Sequence, residues 1–136
     1  MNRIKYDSEL MKLMTLFESM TGAKVKDCIA NEGLVFVIGE NEMGKAIGKN
    51  GANIKKMENM LKRKIKLVEF SSDAVQFVRN IIYPADAGVV QENDTIKIHG
   101  KDPSMRAMLI GRERQNINHL SGIVKRYFDI REIKVE

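Results

Sequence analysis

The chain has 136 residues, 43% of them hydrophobic and 30% charged, which suits one ordinary domain or two very small ones and excludes an intrinsically disordered protein. Its 23 Lys and Arg against 18 Asp and Glu leave a net charge of +5, favouring an anionic partner, and Cys28 alone excludes an intramolecular disulfide or a cysteine metal cluster. No secretory apolar segment opens the sequence and no apolar run approaches the roughly 18 residues of a membrane span, so the chain reads as soluble and cytoplasmic, with no membrane partner.

Residues 8 to 20 place Leu10, Leu13, Met14, Phe17 and Met20 at helical spacing, with Ser8 as the expected cap. KVKDCIA then leads through Asn31-Glu32-Gly33 into LVFVI, the pattern of a strand pair. Asn41 is placed to cap a short helix that runs to IGKNGANI, residues 47 to 54. Beyond it Ile54, Met57 and Leu61 form an apolar stripe, and KIKLVEF at 64 to 70 reads as a closing strand.

Gly48 and Gly51 bracket a tight turn between two helices, exposing the unpaired N–H groups and partial positive charge of the second helix. Without side chains there, a phosphate or sugar can reach van der Waals contact with the backbone, while Lys49 supplies charge. Asn50 and Asn53 are candidates for hydrogen bonds to sugar or base edges. Ile47, Ile54 and the strand 34 to 38 are expected to line a groove beside the turn, with Lys55, Lys56, Lys62, Arg63 and Lys64 extending the positive field. Residues 1 to 70 carry 13 basic and 9 acidic side chains, net +4, against 10 and 9, net +1, in the rest, so the stronger anion surface belongs to the first half.

The second half repeats the first. Residues 72 to 83 form a helix with Val75, Val78 and Ile82 on one face and Pro84 closing it. AGVVQ and TIKI pair across Asn93-Asp94, with Ile96 and Ile98 buried and Val35 and Val37 at the matching positions of the first half. Asp102 followed by Pro103 starts a helix that reaches IGRERQNI at 110 to 117, where Ile110, Gly111, Asn116 and Ile117 align with Ile47, Gly48, Asn53 and Ile54 at an offset of 63. Ile117, Leu120 and Val124 continue the stripe, and residues 130 to 136 close as a strand. In this copy Arg114 replaces the second glycine and Glu113 intrudes, so close backbone approach gives way to bidentate phosphate contacts from Arg112 and Arg114, with Gly111 and Asn116 keeping their places.

The order α-β-β-α-α-β, twice, with a helix–GxxG–helix turn between strands, is the signature of the KH domain, whose loop clamps about four single-stranded nucleotides. The chain is therefore expected to be α+β: two tandem type II KH domains, residues 1–70 and 71–136, each a three-stranded sheet packed by helices. The near absence of a linker around 71 suggests that the two present one fixed surface.

Over its whole length the chain resembles the paired KH domains of the NusA transcription factors, in the short archaeal form. The resemblance implies binding of single-stranded RNA, the nascent transcript, and an influence on termination or antitermination. No cofactor is expected. RNA polymerase is a candidate further partner. A ribosome-associated or RNA-processing KH protein is the alternative.

An enzyme reading has one attraction. Gly39-Glu40-Asn41-Glu42-Met43-Gly44-Lys45 approaches a nucleotide-binding P-loop, yet Ala46 stands where a hydroxyl must ligate magnesium and two acids lie where phosphates would. His99 and His119 lack metal-ligand spacing. The chain is read as non-enzymatic, without a catalytic or metal site.

Overall fold

The computed structural model describes residues 8–136, which fall into two compact units, 8–71 and 72–136. Each holds one three-stranded sheet, and the whole is a mixed α/β protein.

In the first unit α1 (Ser8–Thr21) is followed by β1 (Val25–Ala30), β2 (Leu34–Ile38), α2 (Met43–Ile47), α3 (Ala52–Leu61) and β3 (Ile65–Glu69). Ser8 is itself helical, the first described residue of α1, so the expected cap lies inside the helix. Phe17 is fully buried and stacks on Phe36 with ring centroids 4.6 Å apart, and Leu10, Leu13, Met14 and Met20 pack around it. Each of these two rings contributes roughly 1.5–3 kcal/mol through burial.

β1 and β2 pair antiparallel, and the α2–α3 crossover returns β3 parallel to β2, so the order is β1-β2-β3 with β2 central. All five residues of β2 are buried, Val35 and Val37 as expected, and Leu34, Phe36 and Ile38 share a core cluster with Phe17, Ala46 and Met57 of the helices. An uninterrupted apolar run carries no alternation from which to read its inward face. Cys28 lies in the same core, and Asp27 beside it is buried with its Oδ1 accepting from the Cys28 N–H at 2.9 Å.

A further correction concerns the start of α2. Glu42, not Asn41, holds the N-cap position; Asn41 turns the chain with φ 66°, a left-handed conformation that asparagine tolerates. The Glu42 carboxylate accepts from the Lys24 N–H at 2.9 Å and lies 3.4 Å from Lys45 Nζ, tying α2 to the start of β1.

The second unit runs α4 (Ala74–Ile82), β4 (Gly88–Glu92), β5 (Thr95–His99), α5 (Pro103–Ile110), α6 (Gln115–Lys125) and β6 (Glu132–Val135). Asp73 caps α4 by accepting from the Val75 N–H at 3.2 Å. The buried face of α4 is Ala74, Phe77, Val78 and Ile81, rotated from the expected Val75, Val78 and Ile82, because Phe77 is drawn inward against Tyr127 and Phe128 at centroid distances of 6.0 and 5.8 Å. β5 alternates as expected, with Ile96 and Ile98 buried. Asp102 caps α5 through the Met105 N–H at 2.7 Å, ahead of Pro103. The sheet order is β4-β5-β6, with β6 parallel to β5.

Candidate nucleic-acid interface

Ile47 ends α2 and Gly48 redirects the chain at φ 72°, ψ 175°. A single 3-10 turn over Lys49–Gly51 follows, in which Asn50 (57°, 29°) and Gly51 (71°, 19°) are both left-handed, and α3 begins at Ala52. No side chain among the described residues caps α3; the Gly51 and Ala52 N–H groups donate to the Gly48 and Lys49 carbonyls, and the positive end of the helix dipole faces the turn.

The two glycines are there for different reasons. A Cβ on Gly48 would stand 2.7 Å from the Asn53 side-chain nitrogen, so the protein's own packing forbids a side chain there. A Cβ on Gly51 would meet nothing within 4 Å. Only the left-handed backbone, and the open space above it, ask for glycine at 51.

Lys49 and Asn50 are exposed at the tip, and Lys55 and Lys56 are exposed one turn into α3. None of these lysines makes an ion pair among the described residues. Lys45, one turn before the loop, is held instead by Glu42. Its hydrogen bond from the Lys24 N–H, with Lys45 adding to it, keeps the Glu42 carboxyl below the usual carboxylate range. Ile47 and Ile54 are half-buried at the two helix ends. Lys62 and Lys64 lie exposed at the far end of α3, and Arg63 is half-buried with a nitrogen 3.5 Å from the Gly33 carbonyl.

The second loop reproduces this backbone with other residues. Gly111 lies at 77°, 168°, Glu113 at 54°, 32° and Arg114 at 64°, 21°, each within a few degrees of Gly48, Asn50 and Gly51. Arg112, Glu113 and Arg114 are all exposed, and neither arginine pairs with an acid among the described residues.

Asn53 and Asn116 are the residues whose geometry the sequence did not disclose. Asn53 Nδ2 donates to the Lys45 carbonyl at 3.0 Å, and Asn116 Nδ2 donates to the Met108 carbonyl at 2.7 Å. Each amide thus ties the end of one helix to the start of the next. The hint was their recurrence at the same distance after the first glycine in both copies.

The expected groove wall also moves. β2, residues 34 to 38, is central and buried, so it lines no open groove; β3 is the edge strand beside α2 and α3. In the second unit the equivalent groove, about 200 Å³, is bounded by Ile110, Arg114 and Ile117 on the helical side and by residues 132–136 of the edge strand. Parallel return of the last strand is what puts it at the edge.

The KH domain family model matches residues 14–83, from within α1 to the end of α4. A Methanococcus vannielii protein named "Probable transcription termination protein NusA" is 37% identical, over 98% of this chain and 80% of its own. The protein of the same name from Thermoplasma acidophilum is 31% identical over 100% of this chain and 98% of its own. This chain belongs to the archaeal NusA family of KH-domain proteins. The crystal structure of APE1850 shares the fold, with a TM-score of 0.74 at 24% identity over 96% of this chain and 100% of that one.

In this NusA-family chain the P-loop-like segment runs from the β2–α2 connection into the first turn of α2, with Glu42 turned onto Lys24 and Ala46 fully buried in the core. His99 ends β5, exposed, 3.9 Å from Glu136, and His119 is half-buried on α6. No helix among the described residues is long and apolar enough to cross a membrane.

Proposed function

We propose that this NusA-family chain binds single-stranded RNA, the nascent transcript, and acts in transcription termination or antitermination by binding alone. Its two units are read as tandem type II KH domains, residues 1–70 and 71–136. What supports the second assignment is the repeated order of elements and the repeated loop backbone.

One observation carries the reading: the open space over Gly51 at the start of α3, beside the exposed Lys49, which makes no ion pair among the described residues. A ribose-phosphate backbone laid there meets the positive end of the α3 dipole and the exposed Lys49 ammonium without displacing protein atoms. Gly48, Lys49, Asn50 and Gly51 grip the strand, Ile47 and Ile54 pack against it, and Lys55 adds attraction. In the second loop Gly111 shapes the turn while Arg112 and Arg114 take phosphates through their guanidinium forks. RNA polymerase is the further partner proposed with this reading, and the ribosome is the alternative.

The experiment is photocrosslinking to a transcript held on a halted elongation complex, with a run-off assay across a terminator. Crosslinks at residues 48–51 and a changed read-through fraction are expected. Crosslinks confined elsewhere, with read-through unchanged, would overturn the proposal.

A further inference from the structure

We infer that Asn53 and Asn116 are positioning residues: their amides set the left-handed backbone of the two loops, whatever residues the loops contain, and so pre-form the surface that grips phosphate. The inference rests on the RNA-binding reading above and deepens it.

Two copies within one chain supply the comparison. Between the first glycine and the asparagine the copies read KNGA and RERQ, with no residue in common. Their backbones nevertheless coincide, including two consecutive left-handed residues that glycine and asparagine adopt readily in the first loop and that glutamate and arginine adopt at a cost in the second. Loop composition therefore does not set the conformation. Shared by both are the first glycine, the asparagine and the apolar residues on either side.

The asparagine crowds the glycine. In each copy a Cβ on that glycine would stand 2.7 Å from the asparagine side chain, from Nδ2 of Asn53 in one and Cγ of Asn116 in the other. The amide lies against the turn, half-buried at Asn53 and exposed at Asn116, and reaches back eight residues to a carbonyl in the last turn of the preceding helix, at 3.0 and 2.7 Å. That carbonyl is one of the acceptors a helix end leaves without an intrahelical partner. Satisfying it from the next helix closes a ring around the turn, and the chain between the two ends has one way to cross. A side chain that donates inward in this manner acts on RNA through the main chain rather than by touching a base.

The test uses the full chain, with Asn53→Ala and Asn53→Asp; aspartate matches the shape but cannot donate while ionised. Amide hydrogen exchange is read first, without RNA. The Gly51 N–H, which donates to the Gly48 carbonyl at 3.3 Å, is expected to exchange at least about tenfold faster in both variants, while the β2 amides keep their protection. Affinity for an unstructured single-stranded RNA is expected to fall about tenfold, with the slope of log K against log salt unchanged, since no phosphate contact is removed. Asn116→Ala should do the same to the Arg114 N–H.

A loss of affinity with loop exchange unchanged would show a direct contact instead and overturn the proposal. So would wild-type exchange and wild-type affinity together. Failure of the RNA reading itself would appear in the unaltered protein as no binding, and the exchange measurement would still judge the positioning role.

Discussion

Asn53 lies beneath Gly48 so closely that the two positions constrain each other: the asparagine amide donates to the Lys45 carbonyl at 3.0 Å and fills the space where a Cβ at position 48 would go. Gly51, three residues on, has no such neighbour. The two glycines of one motif therefore answer to different demands, one from a crowding side chain and one from a left-handed backbone alone.

Substitution should separate them. Gly51→Ala is expected to cost about 1 kcal/mol, the left-handed penalty alone. Gly48→Ala adds a collision and a conformation that side chains rarely adopt, for at least about 2 kcal/mol. Urea unfolding of the first unit checks the order, and equal costs would contradict it.

Arg114 occupies with φ 64° the place that Gly51 fills in the first loop. Arg114→Gly should relieve that strain and stabilise the second unit by roughly 0.5–1 kcal/mol, while weakening RNA binding through loss of a guanidinium. A destabilised variant in thermal unfolding would show that the side chain packs on the protein rather than awaiting a phosphate.

Burial, with the Asp27 carboxylate beside it, pushes the Cys28 thiol up to about 11, against a smaller opposing pull from Arg63. The unfolded chain gives up this proton first, so the associated stability is complete below the ordinary thiol pKa, near 9, and is lost as pH rises towards 11. Iodoacetamide at pH 8 should label Cys28 only as fast as the first unit opens, in step with urea-induced unfolding. Prompt labelling of the folded protein would refute the buried assignment.

Much of the fold was legible because its helices are amphipathic and its turns are punctuated by Asn, Asp, Gly and Pro. The stripe around Phe17 and the Asp102-Pro103 start needed no tertiary information. Where the reading slipped, packing between elements decided. LVFVI is apolar throughout, so its letters show that it is buried but not that Leu34, Phe36 and Ile38 are the residues sharing a core with Phe17 and Met57. The buried face of α4 turns on where Phe77 finds Tyr127 and Phe128, some fifty residues away in sequence. At the candidate site the loop was visible as a motif, but the partner of the Asn53 amide is a backbone carbonyl, and backbone carbonyls leave no trace in residue identity.

Lys49 is exposed and makes no ion pair among the described residues, so its charge is available to a phosphate. Lys49→Ala should weaken binding of single strands of any sequence and make log K against log salt shallower by about 0.7. A parallel line at lower affinity would mean that Lys49 acts without neutralising a phosphate.

The central claim, that bare main chain over Gly51 receives the sugar-phosphate backbone, is tested most directly by Gly51→Asp. Aspartate tolerates the left-handed backbone and has room for its side chain, so the unit should keep its circular dichroism and nearly its stability. With a carboxylate standing where phosphate belongs, affinity for single-stranded RNA is predicted to fall by at least about tenfold at fixed salt. A folded Gly51→Asp protein that binds the same RNA as tightly as the unaltered chain would contradict the account.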